Sequence, residues 1–239
     1  MKTHSLAKLF SLALIALLAG SGIAAEPNTL TPEEKSSGWK LLFDGKSTDG
    51  WRSFKKTTFP TKGWVIEEGA LSHPAKAGGG DIITDAAFDN FDLQWEWKIG
   101  KGANSGLKYF ITEERASAIG HEYQLIDDAN HPDAKAAGGK RVTASFYDVL
   151  VPKETKLKPV GEWNHSRVLV QGNHVEHWLN GAKVLEYELS SDAVKTAVDA
   201  SKFKGVKDFG TRLKGHILLQ DHGDEVAFRN IKIRDLSAK

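Results

Sequence analysis

The chain has 239 residues, 40% of them hydrophobic and 26% charged, and no cysteine, so neither a disulfide nor a thiolate metal cluster holds it together. Its 32 Lys+Arg stand against 31 Asp+Glu, a formal charge of +1. Such a balance excludes the one-sided basic excess of a nucleic-acid binder and suits an uncharged partner.

The first 25 residues, "MKTHSLAKLFSLALIALLAGSGIAA", put Lys2 and Lys8 ahead of an apolar run from Leu9 to Ala19 and end in small residues. This is the pattern of a cleavable secretory signal peptide. The apolar run is shorter than the roughly 20 residues a spanning helix needs. We therefore expect a periplasmic or secreted protein with no membrane anchor after cleavage, and without a cysteine it cannot be a lipoprotein tethered through one. Both departing charges are lysines, so the mature chain carries 30 basic against 31 acidic side chains. That length can bury one β-rich core.

Residues 26–37 form a polar lead-in with a helix start: Thr31 as N-cap, Pro32 at the first helical position and Glu34 three beyond the cap. From Gly38 to about residue 237 the chain reads as one domain of short β-segments broken by glycine. The strands are expected at Trp39–Phe43, Trp64–Glu67, Ala70–Ser72, Asp81–Thr84, Phe91–Ile99, Gly106–Ile111, His121–Ile126, Ser145–Val151, Ser166–Gln171, His174–Leu179, Lys183–Leu189, Gly215–Gln220 and Val226–Ile233. In "FDLQWEWKI" the alternation is unbroken, which places Trp95 and Trp97 in the core. Asn180-Gly181 and Gly172-Asn173 lie between alternating runs, predicting a three-stranded meander over 166–189. One short helix is expected in "SSDAVKTAVDASKF", capped by Ser190 or Ser191, with Val194 and Val198 on one face. No repeat recurs. Many short strands and little helix indicate an all-β, two-sheet jelly-roll sandwich.

The segment "HEYQLIDD" (121–128) is polar for a strand. Alternation puts Glu122, Gln124 and Ile126 on one face and Tyr123, Leu125 and Asp127 on the other, so one face is mixed. Such a strand is either a solvated outer strand or the floor of a polar cleft. In "LLQDHGD", Gln220 and His222 share a face while Asp221 points away. Histidine is the side chain best suited to move a proton near neutral pH.

Six segments in order, "GWKLLFDGKSTDGWR", "NSGLKYF", "HEYQLIDD", "GEWNHSRVLV", "HVEHWLNG" and "LLQDHGDEVAFRNIKIRDL", resemble the 3-keto-disaccharide hydrolase domain family over about Gly38 to Leu236. The resemblance implies a concanavalin-like jelly roll and an enzyme that cleaves the glycosidic bond of a saccharide or glycoside oxidised at C3. A C3 ketone acidifies the hydrogen on C2. A base can then remove it, the C1 substituent leaves by elimination, and water adds back. That chemistry needs a base at C2, a group that polarises the C3 oxygen and an acid near the leaving oxygen.

On this reading Glu122 and His222 form the proton-transfer pair, and Asp127, at the end of the same segment as Glu122, is a further catalytic candidate. Asn104, Gln124 and Gln220 are expected to bind substrate, with Lys108 holding the enolate oxygen. Arg141, in the loop "AAGGKRVTASFYD", could reach across the cleft opening, and Trp163, like Trp51 and Trp178, could stack on a sugar or simply pack. Asp128 reads as a turn-capping residue, and Asp221 as one that orients its loop. His174 and His177 lie three apart and cannot share a strand face, so structural or rim roles are expected. A divalent metal ion held by His121, Glu122, Asp127 and His222 stays open as a cofactor. Two rival functions are a carbohydrate-binding module or lectin on the same fold, and a two-carboxylate glycosidase using Glu122 with Asp127 or Glu96.

Overall fold

The computed structural model describes residues 26–237, and the predicted leader over 1–25 lies outside the described residues. Thirteen strands are described. The first five are β1 (Trp39–Leu41), β2 (Trp51–Ser53), β3 (Val65–Glu67), β4 (Ala70–His73) and β5 (Ile82–Phe88); β6 (Phe91–Ile99), β7 (Asn104–Ile111) and β8 (His121–Ile126) follow. The remainder are β9 (Asn164–Gln171), β10 (His174–Leu179), β11 (Ala182–Glu188), β12 (Gly215–Leu219) and β13 (Val226–Asp235). They form two antiparallel sheets. One runs β11-β10-β9-β6-β13-β4-β3 with β1 also on β13, and the other runs β2-β5-β12-β7-β8. This is the expected all-β sandwich.

The core lies between the sheets. Phe91, Leu93, Trp95, Trp97 and Ile99 all point inward from β6, as the alternation requires. Several buried polar groups in this layer are paired with one another. Trp97 Nε1 donates to Ser166 Oγ (2.8 Å), which bonds the Tyr123 hydroxyl at 2.9 Å, and the Tyr109 hydroxyl reaches His177 Nε2 (3.0 Å) and the Tyr187 hydroxyl. Burial pushes the His177 imidazole down to about 4, so it stays neutral as a structural residue, whereas His174 pairs with Glu188 at the surface (2.7 Å).

The helix signals hold. Thr31 and Glu34 make both bonds of a capping box on α1 (Pro32–Ser36), and Ser191 caps α2 (Asp192–Asp199), which buries Val194 and Val198. In the β10–β11 turn Asn180 and Gly181 both take positive φ, as a primed hairpin turn demands.

Three features depart from the expectation. The three-residue β2 is too short to show a period. The strand expected over Ser145–Val151 is instead a run of turns with two isolated bridges at Phe146, because Ala144 and Asp148 take positive φ (66° and 64°). Its backbone still closes the open edge of β8: Ala144 N–H donates to Gln124 O, and Tyr147 N–H to Glu122 O (2.9 and 3.1 Å), so that edge is covered instead of bare. Finally, Phe110 has φ 60° where the β7–β12 register breaks. This bulge sends both Tyr109 and Phe110 into the core and turns Ile111 to the outer face, beside Ile83 and Leu218.

Candidate active site

The outer face of the five-stranded sheet carries the polar residues. Across β7 and β8, Asn104 pairs with Ile126, Gly106 with Gln124, and Lys108 with Glu122, so Asn104, Lys108, Glu122 and Gln124 share one face. Gln220 follows directly on β12, its N–H bonded to Gly106 O (3.0 Å), and His222 lies two residues on. These six side chains form the floor and one wall of a cavity of about 350 Å³. The other wall comes from loops: Ala118, Ile119 and Gly120, then Tyr147, then Lys202, Phe203 and Val206. All six residues of β8 are buried. The strand is therefore the floor of a cleft and not a solvated outer strand.

Glu122 is the one carboxylate among the described cavity-lining residues, with 6% of its surface exposed. Burial raises its pKa; Lys108 and Lys202 offset only part of that. Lys108 Nζ stands 3.7 Å from Glu122 Oε2. Burial also lowers the pKa of Lys202, whose ammonium lies 4.2 Å from the Tyr147 ring centroid. Glu122 can approach the strand only because position 106 is glycine: a Cβ there would lie 2.5 Å from Glu122 Oε1.

His222 stands on the opposite rim. Its Nδ1 faces Asp224 Oδ2 at 3.4 Å, and the same carboxylate oxygen accepts the Asn104 backbone N–H at 3.0 Å. A carboxylate on Nδ1 favours the tautomer that leaves Nε2 as the acceptor, and Nε2 faces the Asn104 amide at 3.5 Å. Two buried acceptors in the cavity wall, Asn104 Oδ1 and Gln220 Oε1, have no partner among the described residues. Asp221 orients the loop as expected: it accepts N–H bonds from Gly80 and Gly223 (2.8 Å each) and lies 3.2 Å from His73.

Six of the nine candidates thus converge: Asn104, Lys108, Glu122, Gln124, Gln220 and His222. Asp127, Arg141 and Trp163 do not line this cavity. The Asp127 carboxylate accepts from the N–H groups of Gly102, Ala129 and Asn130 and from the Asn130 side chain. Burial alone would raise its pKa, but these bonds outweigh it and the net shift is downward. It caps a loop, as Asp128 does by accepting from Thr143 N–H (2.8 Å). Arg141 is clamped by Asp133 and Asp148 (2.7 and 2.6 Å). Asp133 also takes the Tyr147 hydroxyl (2.8 Å) and Asp148 the Lys202 backbone N–H (2.7 Å), so the cluster positions two cavity residues from behind. Trp163 lies just before β9, its ring against Arg229 (4.1 Å) and Lys98 (5.0 Å) of the far sheet. Trp51 packs in the core and Trp178 bonds Glu176, so neither faces the cavity. Glu96 is paired with Arg229 at 2.6 Å.

The metal set does not assemble either. His121 faces the core, where its Nε2 accepts the Gly210 N–H (3.0 Å) and burial pushes its pKa down to about 3. Among the described residues, His131, His222 and Asp224 do bring ligand atoms within 4.8 Å of one another. His131 Nδ1 accepts the Asp133 N–H at 3.1 Å, and His222 Nδ1 is turned to Asp224. A second group, His174, Glu176 and Glu186, is satisfied by Lys183 (3.0 and 2.7 Å).

Asp224, Tyr147 and Lys202 escaped the sequence reading. Asp224 was within reach, since it continues the parity of Gln220 and His222. Tyr147 and Lys202 arrive from loops with no periodic signal.

Residues 38–234 match the model of the 3-keto-alpha-glucoside-1,2-lyase-like domain family. The chain is 36% identical over 243 aligned positions to a 3-keto-disaccharide hydrolase of Bacteroides thetaiotaomicron, covering 89% of this chain and 83% of that protein. A solved structure from Parabacteroides distasonis, itself only provisionally assigned as a glycosyl hydrolase, superposes with TM-score 0.80 at 38% identity, over 89% of this chain and all of that one. A second from the same organism, with the same provisional assignment, gives TM-score 0.65 at 30% identity, over 83% and 99%.

Proposed function

The chain belongs to the 3-keto-alpha-glucoside-1,2-lyase-like family, and from that premise we propose that its cleft cleaves the glycosidic bond of a 3-keto glycoside or 3-keto disaccharide by elimination and rehydration. His222 Nε2, with Asp224 behind the ring to stabilise the imidazolium, takes the C2 proton. The electrons pass to the C3 oxygen, where the ammonium groups of Lys108 and Lys202 meet the developing negative charge. The C1–O bond then breaks, and Glu122, kept protonated to higher pH by burial, gives its proton to the departing oxygen. In the second half Glu122, now ionised, takes a proton from water as its oxygen adds to C1. The His222 imidazolium returns a proton to C2, and both groups recover their starting states.

One observation carries this reading: the cavity presents one carboxylate and one carboxylate-backed imidazole, flanked by two lysines. A displacement glycosidase needs two carboxylates across the bond, about 5–9.5 Å apart. Asp127 and Glu96, the partners such a mechanism would draw on, are bonded elsewhere. Asn104 and Gln220, with their unpartnered buried oxygens, suit donation by sugar hydroxyls. The leader pattern supports action outside the cytoplasm.

The test is to incubate the mature protein with a 3-keto glucoside and with its unoxidised parent. Release of the aglycone from the ketone alone is the expected result. Release from the parent would favour a displacement glycosidase, and binding without turnover of either would favour a carbohydrate-binding module.

A further inference from the structure

The two walls of the cavity differ in kind. Opposite the amides and the imidazole, the loop wall carries an apolar strip, Ala118, Ile119, Phe203 and Val206, beside Lys202 and Tyr147, whose hydroxyl is taken by Asp133; the strip itself has no hydrogen-bonding side chain. The backbone of Ile119, Phe203 and Val206 is also committed. Ile119 O accepts from Arg115 Nη1 (2.8 Å) and Ile119 N–H donates to Ser117 O (2.8 Å). Phe203 N–H donates to Ser201 Oγ (3.1 Å), and Val206 N–H to Phe203 O (2.9 Å). Phe203 is held rigid by a stacked Phe209, ring centroids 4.2 Å apart. This part of the wall is an apolar strip.

Building on the reading of this cleft as the elimination site, we infer that this wall receives the leaving group, and that the leaving group is an apolar aglycone, alkyl or aryl, in preference to a second sugar. The floor and polar wall hold enough donors and acceptors for the hydroxyls of one oxidised ring. A second pyranose would press several more hydroxyls against a strip that offers no hydrogen-bonding side chain. Each hydroxyl buried that way gives up its hydrogen bonds to water without replacement. A hydrocarbon of the same size would instead gain by leaving water. A cavity of about 350 Å³ lies at the small end of ligand sites, which favours one sugar ring with a compact leaving group.

The test compares kcat/KM for three 3-keto glucosides of one anomeric configuration: cyclohexyl, methyl, and a disaccharide. Cyclohexanol is no better a leaving group than a sugar hydroxyl, so a preference for it reports binding. The inference predicts a cyclohexyl value at least about tenfold above that of the disaccharide. It also predicts that Val206→Asn and, separately, Ile119→Thr each cut the cyclohexyl-to-methyl ratio at least about fivefold. A disaccharide cleaved as well as or better than the cyclohexyl substrate overturns it. So does a ratio that neither variant changes while the folded proteins keep activity. If no 3-keto glucoside is cleaved at all, the elimination reading itself falls and the inference goes with it. Cleavage with the wrong preference sinks the inference alone.

Discussion

Replacing Gly106 by alanine would move the catalytic carboxylate without touching it chemically. Gly106 sits in β7 beside Glu122, and a Cβ added there would lie 2.5 Å from Glu122 Oε1, 3.0 Å from Cδ and 3.1 Å from Cγ. Carbon and oxygen rest about 3.3 Å apart at closest, so the carboxylate must withdraw by roughly 0.8 Å. The backbone has no objection, because Gly106 is not among the residues at positive φ. Alanine in place of a strand glycine should even favour folding by about 0.5–1 kcal/mol. Gly106→Ala should therefore fold with unchanged or slightly raised thermal stability, while kcat on a 3-keto glucoside falls about 100-fold, the scale of loss for a catalytic group misplaced by about 1 Å. Circular dichroism melting and steady-state kinetics on the same preparation give both quantities. A folded Gly106→Ala protein with kcat within twofold of the parent would refute the assignment of Glu122, since its carboxylate cannot then need the position seen here.

The pH dependence follows from the raised pKa of Glu122. As the proton donor it must be protonated, so kcat/KM should fall as pH rises through its folded value, which lies above the ordinary 4.5. Lys108→Met removes a neighbouring cation and should carry that limb to higher pH; a limb moving downward would contradict the role. The same shift makes the fold lose stability as pH rises from the unfolded carboxylate value through the folded one, which pH-dependent melting of wild type against Glu122→Gln can read. Asp224→Asn keeps the shape behind His222 but removes the charge. The expected result is a fall in kcat of about 10- to 100-fold with KM nearly constant, and a merely structural Asp224 would instead move stability and leave the kcat-to-KM split unaltered. Asp127→Ala strips an acceptor from three backbone N–H groups and one amide, so it should cost about 1–3 kcal/mol, a Tm drop of roughly 2–12 °C, with kcat within about twofold. A collapse of kcat in folded Asp127→Ala protein would return Asp127 to the site.

The fold was legible wherever one period governed a segment. β6 reads correctly because both its faces are decided by the same sandwich, and the Asn-Gly turn because positive φ has few other residues to choose. β8 was legible only in part. Its alternation separates Glu122 and Gln124 from Tyr123 and Leu125, but nothing local says that the polar face is buried. Burial comes from the 143–150 segment and the loops near residues 120 and 203, which fold over the strand from elsewhere in the chain. For the same reason Asp127 looked catalytic: one residue past the strand, its carboxylate turns back to cap the 127–130 turn and the Gly102 N–H. Arg141 and Trp163 are charge and ring without address in the sequence, and tertiary pairing gave them other partners. The Phe110 bulge left no trace in "KYFI", four residues that fit an unbroken strand equally well.

The elimination mechanism makes one demand that no displacement shares: the hydrogen on C2 must leave, and while it sits on His222, at the rim of the cleft, it exchanges with solvent. Turnover of a 3-keto glucoside in deuterium oxide, stopped early and analysed by mass spectrometry and NMR, reports on it directly. The account predicts one deuterium at C2 of the released 3-keto sugar in wild type, with both its incorporation and the release of aglycone lost in His222→Ala. Aglycone release with protium retained at C2, together with no primary kinetic isotope effect from substrate deuterated at C2, would mean that the bond breaks without the proton transfer on which the assignment of His222 and Glu122 rests.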